Sequence, residues 1–389
     1  MRVISIGLDG RVAEPGLDCH VVSWVREIAR HVDDYVAIAP STDGQPRGPV
    51  KLAQNATAWA LAGSPATFSF RAAKLAKRLH RERPFDVITT EDPVRCGLAG
   101  ALLARSTGLP LNVENHSYHI NEAVWLQEKL HHRLYNQLAI RICRRADSIR
   151  NYAPGQARAL LDIGVEPSRI HTVPVNAPEL SPMDEDAARR RVGMIGQPFV
   201  LCAGRMVTYK NIPLLLKAFA GLPASLDVKL LMIGAGHCKS AWQAMADSLG
   251  LGARVIWRDA VPWQEMLAYY SAAAVFAAPA IHETGPRTVL EALLCRCPVV
   301  VTPKMAVTEM GICVHRQTAL VVAPDDVQGW TSALQELLTD RENGRRMAEA
   351  GRARIGPDIS FSAIARGLVN VLQQTVSRSG RATQPLASA

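Results

Sequence analysis

Four residues in the second half of the chain have the types and spacing of a phosphate and hydroxyl site. Arg205 and Lys210 are separated by four residues in Gly204-Arg-Met-Val-Thr-Tyr-Lys, and Glu283 and Glu291 by seven in Glu283-Thr-Gly-Pro-Arg-Thr-Val-Leu-Glu. Each segment follows an apolar run that reads as a strand and leads into a helical pattern. A guanidinium fork and a mobile ammonium at one strand end suit the oxygens of a diphosphate. Each such charge-assisted contact is worth roughly 1.5–3 kcal/mol. The helix start at Gly285–Thr288 adds backbone N–H groups and the positive end of a helix dipole, which also suits phosphate. Carboxylates in direct contact with that phosphate would repel it. Glu283 in the loop and Glu291 about one turn inside the helix make chemical sense on either side of it, accepting hydrogen bonds from hydroxyl groups. A nucleoside-diphosphate sugar has that layout: sugar hydroxyls, diphosphate, ribose hydroxyls. The plain structural reading of a lone glutamate at a helix start is a dipole partner, and of a loop cation a solvated side chain. Glu291 resists it, because an unpartnered carboxylate in the apolar run Val289-Leu-Glu-Ala-Leu-Leu is costly.

A sheet must stand behind these strand ends. Strands are expected at 3–8, 35–39, 85–90, 111–114 and 170–175, then at 199–203, 228–233, 254–257, 275–278, 298–302 and 320–322. Helical patterns such as 20–32, 122–145, 213–221, 264–272 and 287–295 lie between them. Val21, Val22, Val25, Ile28, Ala29 and Val32 keep the 3.6-residue period. Strands alternating with helices mean parallel sheets covered on both faces, and ligands of such sheets bind beyond the carboxyl ends of the strands. A break with Pro178, Pro182, an acidic cluster and Arg189–Arg191 separates two such series. The expected organisation is a first domain over 1–180, a linker over 181–197, a second domain over 198–355, a C-terminal helix over 356–376 that packs back toward the first domain, and a disordered tail over 377–389.

Composition bounds the function classes. The 389 residues are 48% hydrophobic and 20% charged, a core-forming chain of two or three domains and not a disordered one. No apolar run approaches the roughly 18 residues of a membrane span, and the first residues read as a strand and not as a signal peptide. The expected location is the cytosol, at most peripheral at the inner face of a membrane. Lysine and arginine number 44 against 35 acids, a formal charge of +9 that permits an anionic partner without choosing one. The eight cysteines are scattered without a Cys-x-x-Cys, as in a reducing compartment.

Taken together, the two segments resemble the group-1 family of retaining, nucleotide-sugar-dependent glycosyltransferases with the GT-B fold. Gly-Arg followed after four residues by Lys, and Glu followed after seven by Glu, are that family's motifs. Pro298-Val-Val and the strand exit Gly234-Ala-Gly236 match it as well. The resemblance is clear over 199–340 and diffuse over 1–175. It implies two doubly wound Rossmann-like domains facing a central cleft. By the same resemblance Arg205 and Lys210 bind the diphosphate and stabilise the leaving group, Glu291 binds ribose hydroxyls, and Glu283 contacts the donor sugar. The backbone through Thr284, Gly285, Arg287 and Thr288 lines the sugar and phosphates, although this chain has Gly285-Pro286 where the family often has Phe-Gly. In the first domain, Gly16 matches one residue of the family's Gly-Gly loop near the phosphates. His116 matches its strand-end histidine facing the donor sugar, with His119 as the fallback.

The implied reaction is same-face transfer in polysaccharide, glycolipid or other glycoconjugate synthesis. It uses no cofactor beyond the nucleotide-sugar co-substrate and, with no Asp-x-Asp placed at the site, no metal. Residues 68–83 carry six cations against Glu82, with Phe70, Leu75 and Leu79 as an apolar stripe. The stripe reads either as a core-facing side or, with the cations, as contact with anionic lipid or a phosphorylated acceptor. Other readings are a non-catalytic sugar-nucleotide-binding subunit and another GT-B enzyme such as a sugar-nucleotide epimerase. A phosphorylase would need a distinctive lysine for pyridoxal phosphate. A dehydrogenase would need the full glycine fingerprint that Gly7-Leu-Asp-Gly10 lacks. No nucleic-acid module is present.

Overall fold

A computed structural model describes residues 1–118 and 120–380. The chain divides into two compact units, Met1–Pro174 together with the segment from Phe361, and Val175–Ser360.

Unit 1 is built on an eight-stranded sheet of β1 (Arg2–Ile6), β2 (Asp34–Pro40), β3 (Arg47–Ala53), β4 (Ala56–Leu61), β5 (Val87–Thr90), β6 (Leu111–Asn115), β7 (Ser148–Asn151) and β8 (Ile170–Thr172). Its order is β3-β4-β2-β1-β5-β6-β7-β8. All neighbours are parallel except β3 and β4, whose hairpin at the edge was not anticipated. Alternate residues of each strand feed two cores. Val3, Tyr35 and Ala37 pack against the helices His20–Ala29 and Phe361–Arg378. Ile4, Val36 and Ile88 pack against Phe68–Glu82, Arg95–Thr107 and Leu130–Arg145. The C-terminal helix thus covers one face of unit 1 through Ala365, Leu368, Val369 and Leu372. It starts at Phe361 and runs to Arg378, beyond the expected end at 376; residues 381–389 of the expected tail lie outside the described residues.

Unit 2 carries six parallel strands: β9 (Phe199–Ala203), β10 (Lys229–Ile233), β11 (Val255–Arg258), β12 (Val275–Ala278), β13 (Val299–Val301) and β14 (Leu320–Val321). The order β11-β10-β9-β12-β13-β14 places the reversal of strand progression between β9 and β12.

Three expectations are corrected. The segment 181–197 is not a free linker. Its helix Glu185–Val192 buries Ala188 and Val192, and Glu185 pairs with Arg189, Arg341 and Arg345. The Met183 N–H also donates to Ser271 Oγ at 3.0 Å, so this segment belongs to unit 2. The helical pattern 122–145 is broken at Lys129, where the backbone is extended, into Ala123–Glu128 and Leu130–Arg145. The His132 ring pins the break, with Nδ1 at 2.7 Å from the Trp125 carbonyl and its face 4.5 Å from that indole. Finally, the stripe on Phe68–Glu82 is split. Phe68, Ala72 and Ala76 are buried and Leu75 and Leu79 pack on the core, whereas Phe70 is 61% exposed.

Candidate functional site

The switch point of a doubly wound sheet leaves a crevice because the connections depart to opposite sides. In unit 2 the exits of β9 and β12 flank that crevice, and these exits carry the two predicted motifs. Gly204 follows β9 with a φ of +144°, and its N–H donates to the Ile233 carbonyl at 3.0 Å. Arg205 then reaches out at the surface, its guanidinium donating to the Tyr209 hydroxyl at 2.7 Å. A short 3-10 turn, Thr208–Lys210, brings Lys210 back over the strand end, and Pro213 sits in the first turn of the helix Ile212–Ala220 that follows.

Across the crevice, Glu283 is fixed by its backbone. Its N–H donates to the Lys304 carbonyl at 3.0 Å, and its carbonyl accepts from the Ala306 N–H at 2.8 Å. The Glu283 carboxylate forms an ion pair with the Lys210 ammonium. Burial is the largest influence on Lys210 and works against its charge, but the Glu283 carboxylate, with Tyr209 and Cys202 beside it, outweighs burial, so the ammonium titrates above the ordinary lysine value. A pocket lies between the two exits, lined by Gly204, Arg205, Lys210, Glu283 and Thr288 above a floor that includes Ala278 and Ile233. Lys210, Glu283, Arg205 and Thr288 are therefore together at one pocket.

The helix Arg287–Leu294 begins at this pocket, with Pro286 as its N-cap. The Arg287 N–H is consumed by the Gly285 carbonyl at 2.8 Å. That narrows the backbone donors expected over 284–288. Thr284 is buried and Gly285 lies beside Val175.

Glu291 lies deeper. It is 5% exposed and does not line the pocket. Its Oε2 accepts from the Tyr270 hydroxyl at 2.8 Å and its Oε1 from the Trp263 indole N–H at 3.1 Å. Burial pushes the Tyr270 phenol well up, and the neighbouring carboxylate adds to it. The apolar sequence around Glu291 pointed to a partner, and the protein itself supplies two. A carboxylate offers about four acceptor positions, so two donors leave room for a ligand's hydroxyls.

Gly16 and His116 belong to unit 1. Gly16 is exposed with a φ of +74° and open space where a Cβ would stand. His116 follows β6, its Nε2 3.1 Å from Glu114 and its ring stacked 4.7 Å from Tyr152. Glu114 is buried and also pairs with Arg150. Burial alone would raise its carboxyl, but Arg150 and His116 bring it down to about 2. His119, the fallback, lies outside the described residues.

Sequence reasoning passed over Tyr209, His282, Trp263 and Tyr270. Tyr209 stacks on His282 at 5.2 Å and stands between the two motif cations. Trp263 and Tyr270 are seven residues apart on one helix, two turns on one face, and that spacing was the available signal.

The model of the glycosyl transferases group 1 matches residues 184–354, and that of the glycosyl transferase 4-like domain matches 16–176. An MMP alpha-(1->4)-mannosyltransferase of Mycolicibacterium hassiacum is 25% identical over 324 residues, 81% of this chain and 76% of that one. A GDP-mannose-dependent monoacylated alpha-(1-6)-phosphatidylinositol monomannoside mannosyltransferase of Corynebacterium glutamicum is 30% identical over 202 residues, 50% of this chain and 52% of that one. In fold, the sucrose-phosphate synthase of Thermosynechococcus elongatus superposes with a TM-score of 0.82 at 20% identity, covering 97% of this chain and 100% of that one. The two sheets are those of the GT-B class, the motif residues meet in the second of them, and the chain belongs to the group-1 glycosyltransferases.

Proposed function

We propose that this glycosyltransferase moves a sugar from a nucleoside-diphosphate donor, with retention at the anomeric carbon and without a metal, to a hydroxyl group of a phosphate-bearing or lipid-linked acceptor. The observation that carries the reading is the convergence of Arg205, Lys210, Glu283 and Thr288 on one pocket at a topological switch point. Arg205 and Lys210 hold the diphosphate. The bond from the anomeric carbon to the phosphate oxygen breaks, and the acceptor oxygen bonds to that carbon on the same face. The acceptor's proton passes to the departing phosphate oxygen. Two cations neutralise the charge that develops there, so the protein's work is positioning and electrostatic stabilisation. Glu283 steers Lys210 and accepts from sugar hydroxyls, and Glu291 accepts from the ribose. Gly16 and His116 have the donor-side roles the family resemblance gives them.

Both relatives are named as mannosyltransferases, and one as GDP-mannose-dependent, so GDP-mannose leads the donor screen. The exposed Phe70 and the cations of Phe68–Glu82 support an anionic membrane as the place where the acceptor is met.

The test offers GDP-mannose, UDP-glucose and ADP-glucose in EDTA, with and without a phosphatidylinositol acceptor, and follows the anomeric proton by NMR. One donor should be consumed with α-configured product first. A β product overturns retention, activity that returns only with added divalent ions overturns metal independence, and no turnover of any donor overturns the choice of donor class.

A further inference from the structure

Glu291 is held by two donors of opposite character. Tyr270, donating to Oε2, is 1% exposed and packs edge-on against Phe276 at 5.6 Å. Trp263, donating to Oε1, is 47% exposed at the first turn of its helix. The phenol cannot leave without opening the core. The indole can swing into solvent. Of the two, therefore, only the indole stands where a ligand approaching from solvent would meet the carboxylate.

Resting on the reading of Glu291 as the ribose carboxylate, we propose that Trp263 is a displaceable cover for it. In the free protein the indole N–H satisfies Oε1, which would otherwise be a buried acceptor without a donor. A nucleoside diphosphate replaces that N–H with a ribose hydroxyl. Tyr270 keeps its hydrogen bond to Oε2 throughout and acts as the positioning residue that aims the carboxylate. A cover of this kind lowers apparent affinity by the strength of the bond that must be given up, since ligand binds only the uncovered state. Removing the covering N–H and removing the positioning hydroxyl should then change affinity in opposite directions, which a purely structural role for both residues would not produce.

The experiment is calorimetric titration of the full chain with GDP, UDP and ADP. The tightest of the three is then compared with its 2′,3′-dideoxy counterpart in wild type, Trp263→Phe, Tyr270→Phe and Glu291→Ala. Trp263→Phe should tighten binding of the ribose nucleotide about fivefold and leave the dideoxy compound unchanged. Tyr270→Phe should weaken the ribose nucleotide about tenfold. Should Tyr270→Phe fail to fold, the Trp263→Phe pair of titrations decides alone. Unchanged or weaker binding in Trp263→Phe overturns the cover, weaker binding of both compounds marking the indole as a ligand contact. Nucleotide binding that survives Glu291→Ala intact overturns the ribose role of Glu291 while leaving the diphosphate site standing. Binding of none of the three overturns the donor site and the cover with it.

Discussion

Lys210 holds its charge against its surroundings. Burial penalises the ammonium, and the Glu283 carboxylate, fixed through its own backbone between Lys304 and Ala306, compensates for it together with Tyr209 and Cys202. A lysine whose folded value is raised contributes stability that is fully present below the ordinary value of 10.5 and is lost only as pH climbs through the higher folded value. Lys210 therefore remains charged across the neutral and mildly alkaline range. Nucleoside-diphosphate affinity in wild type should run parallel to that of Lys210→Arg from neutrality up to the ordinary lysine value. A fall seen in wild type and absent in Lys210→Arg would contradict this. Lys210→Ala should weaken the diphosphate by about 1.5–3 kcal/mol, read from the same titrations. Arg205 differs in kind. It is exposed and rests on Tyr209, so its fork is held ready by one hydrogen bond to an uncharged hydroxyl and is easily released to a phosphate, whose charge makes it the stronger acceptor.

At the scale of elements, two turns leave adjacent strands at the site, and their closeness depends on glycine. Gly204 after β9 and Gly234 after β10 both have a φ of +144°. A Cβ at Gly234 would stand 2.0 Å from the Gly204 carbonyl oxygen. Neither backbone can yield without moving Arg205. Gly234→Ala should therefore cost more than about 2 kcal/mol in urea unfolding, through strain in a backbone region that side chains avoid. It should also weaken nucleotide binding more than the remote Gly250→Ala, where the space is open. Equal binding in the two variants would separate the turn from the site. Gly250 is the proper control because it also has a positive φ, +69°, so both variants carry a conformational penalty and only one carries a clash.

At the scale of the molecule, unit 1 distributes charge unevenly. The helices Phe68–Glu82, Arg95–Thr107 and Leu130–Arg145 cover one face of its sheet, and Glu82 is their one acidic residue among many arginines and lysines. No described helix is long and apolar enough to cross a membrane, so an attachment through this face would be electrostatic with Phe70 as an apolar contribution. Each cation near an anionic surface is worth about 1 kcal/mol and fades within a Debye length. Charge reversal at Lys74, Lys77 and Arg78 should abolish co-sedimentation with phosphatidylglycerol vesicles at low salt and leave nucleotide binding intact. Binding to vesicles that persists in the triple variant would remove the membrane from the proposed function.

What was legible in the sequence was local. The spacing of Gly204-Arg205 to Lys210 and of Glu283 to Glu291 could be read because each motif lies within one strand–turn–helix unit. The apolar periods that define the parallel strands are just as local. The hairpin Arg47–Leu61 escaped because its half-buried strands lack the continuous apolar run of the central ones. The helix Glu185–Val192 escaped because its mean composition is polar, and only Ala188, Val192 and the Glu185 ion pairs tie it to unit 2. Which groups face one another was decided by tertiary structure alone. The Lys210–Glu283 pair spans 73 residues of chain, and the Glu291 donors lie 21 and 28 residues away. A sequence lists donors and acceptors without saying which will meet. The strand order that brings β9 beside β12, and the helix packing that turns Trp263 and Tyr270 onto Glu291, make that assignment. Hydrogen bonds and ion pairs act only over a few ångströms, so it could come from nowhere else.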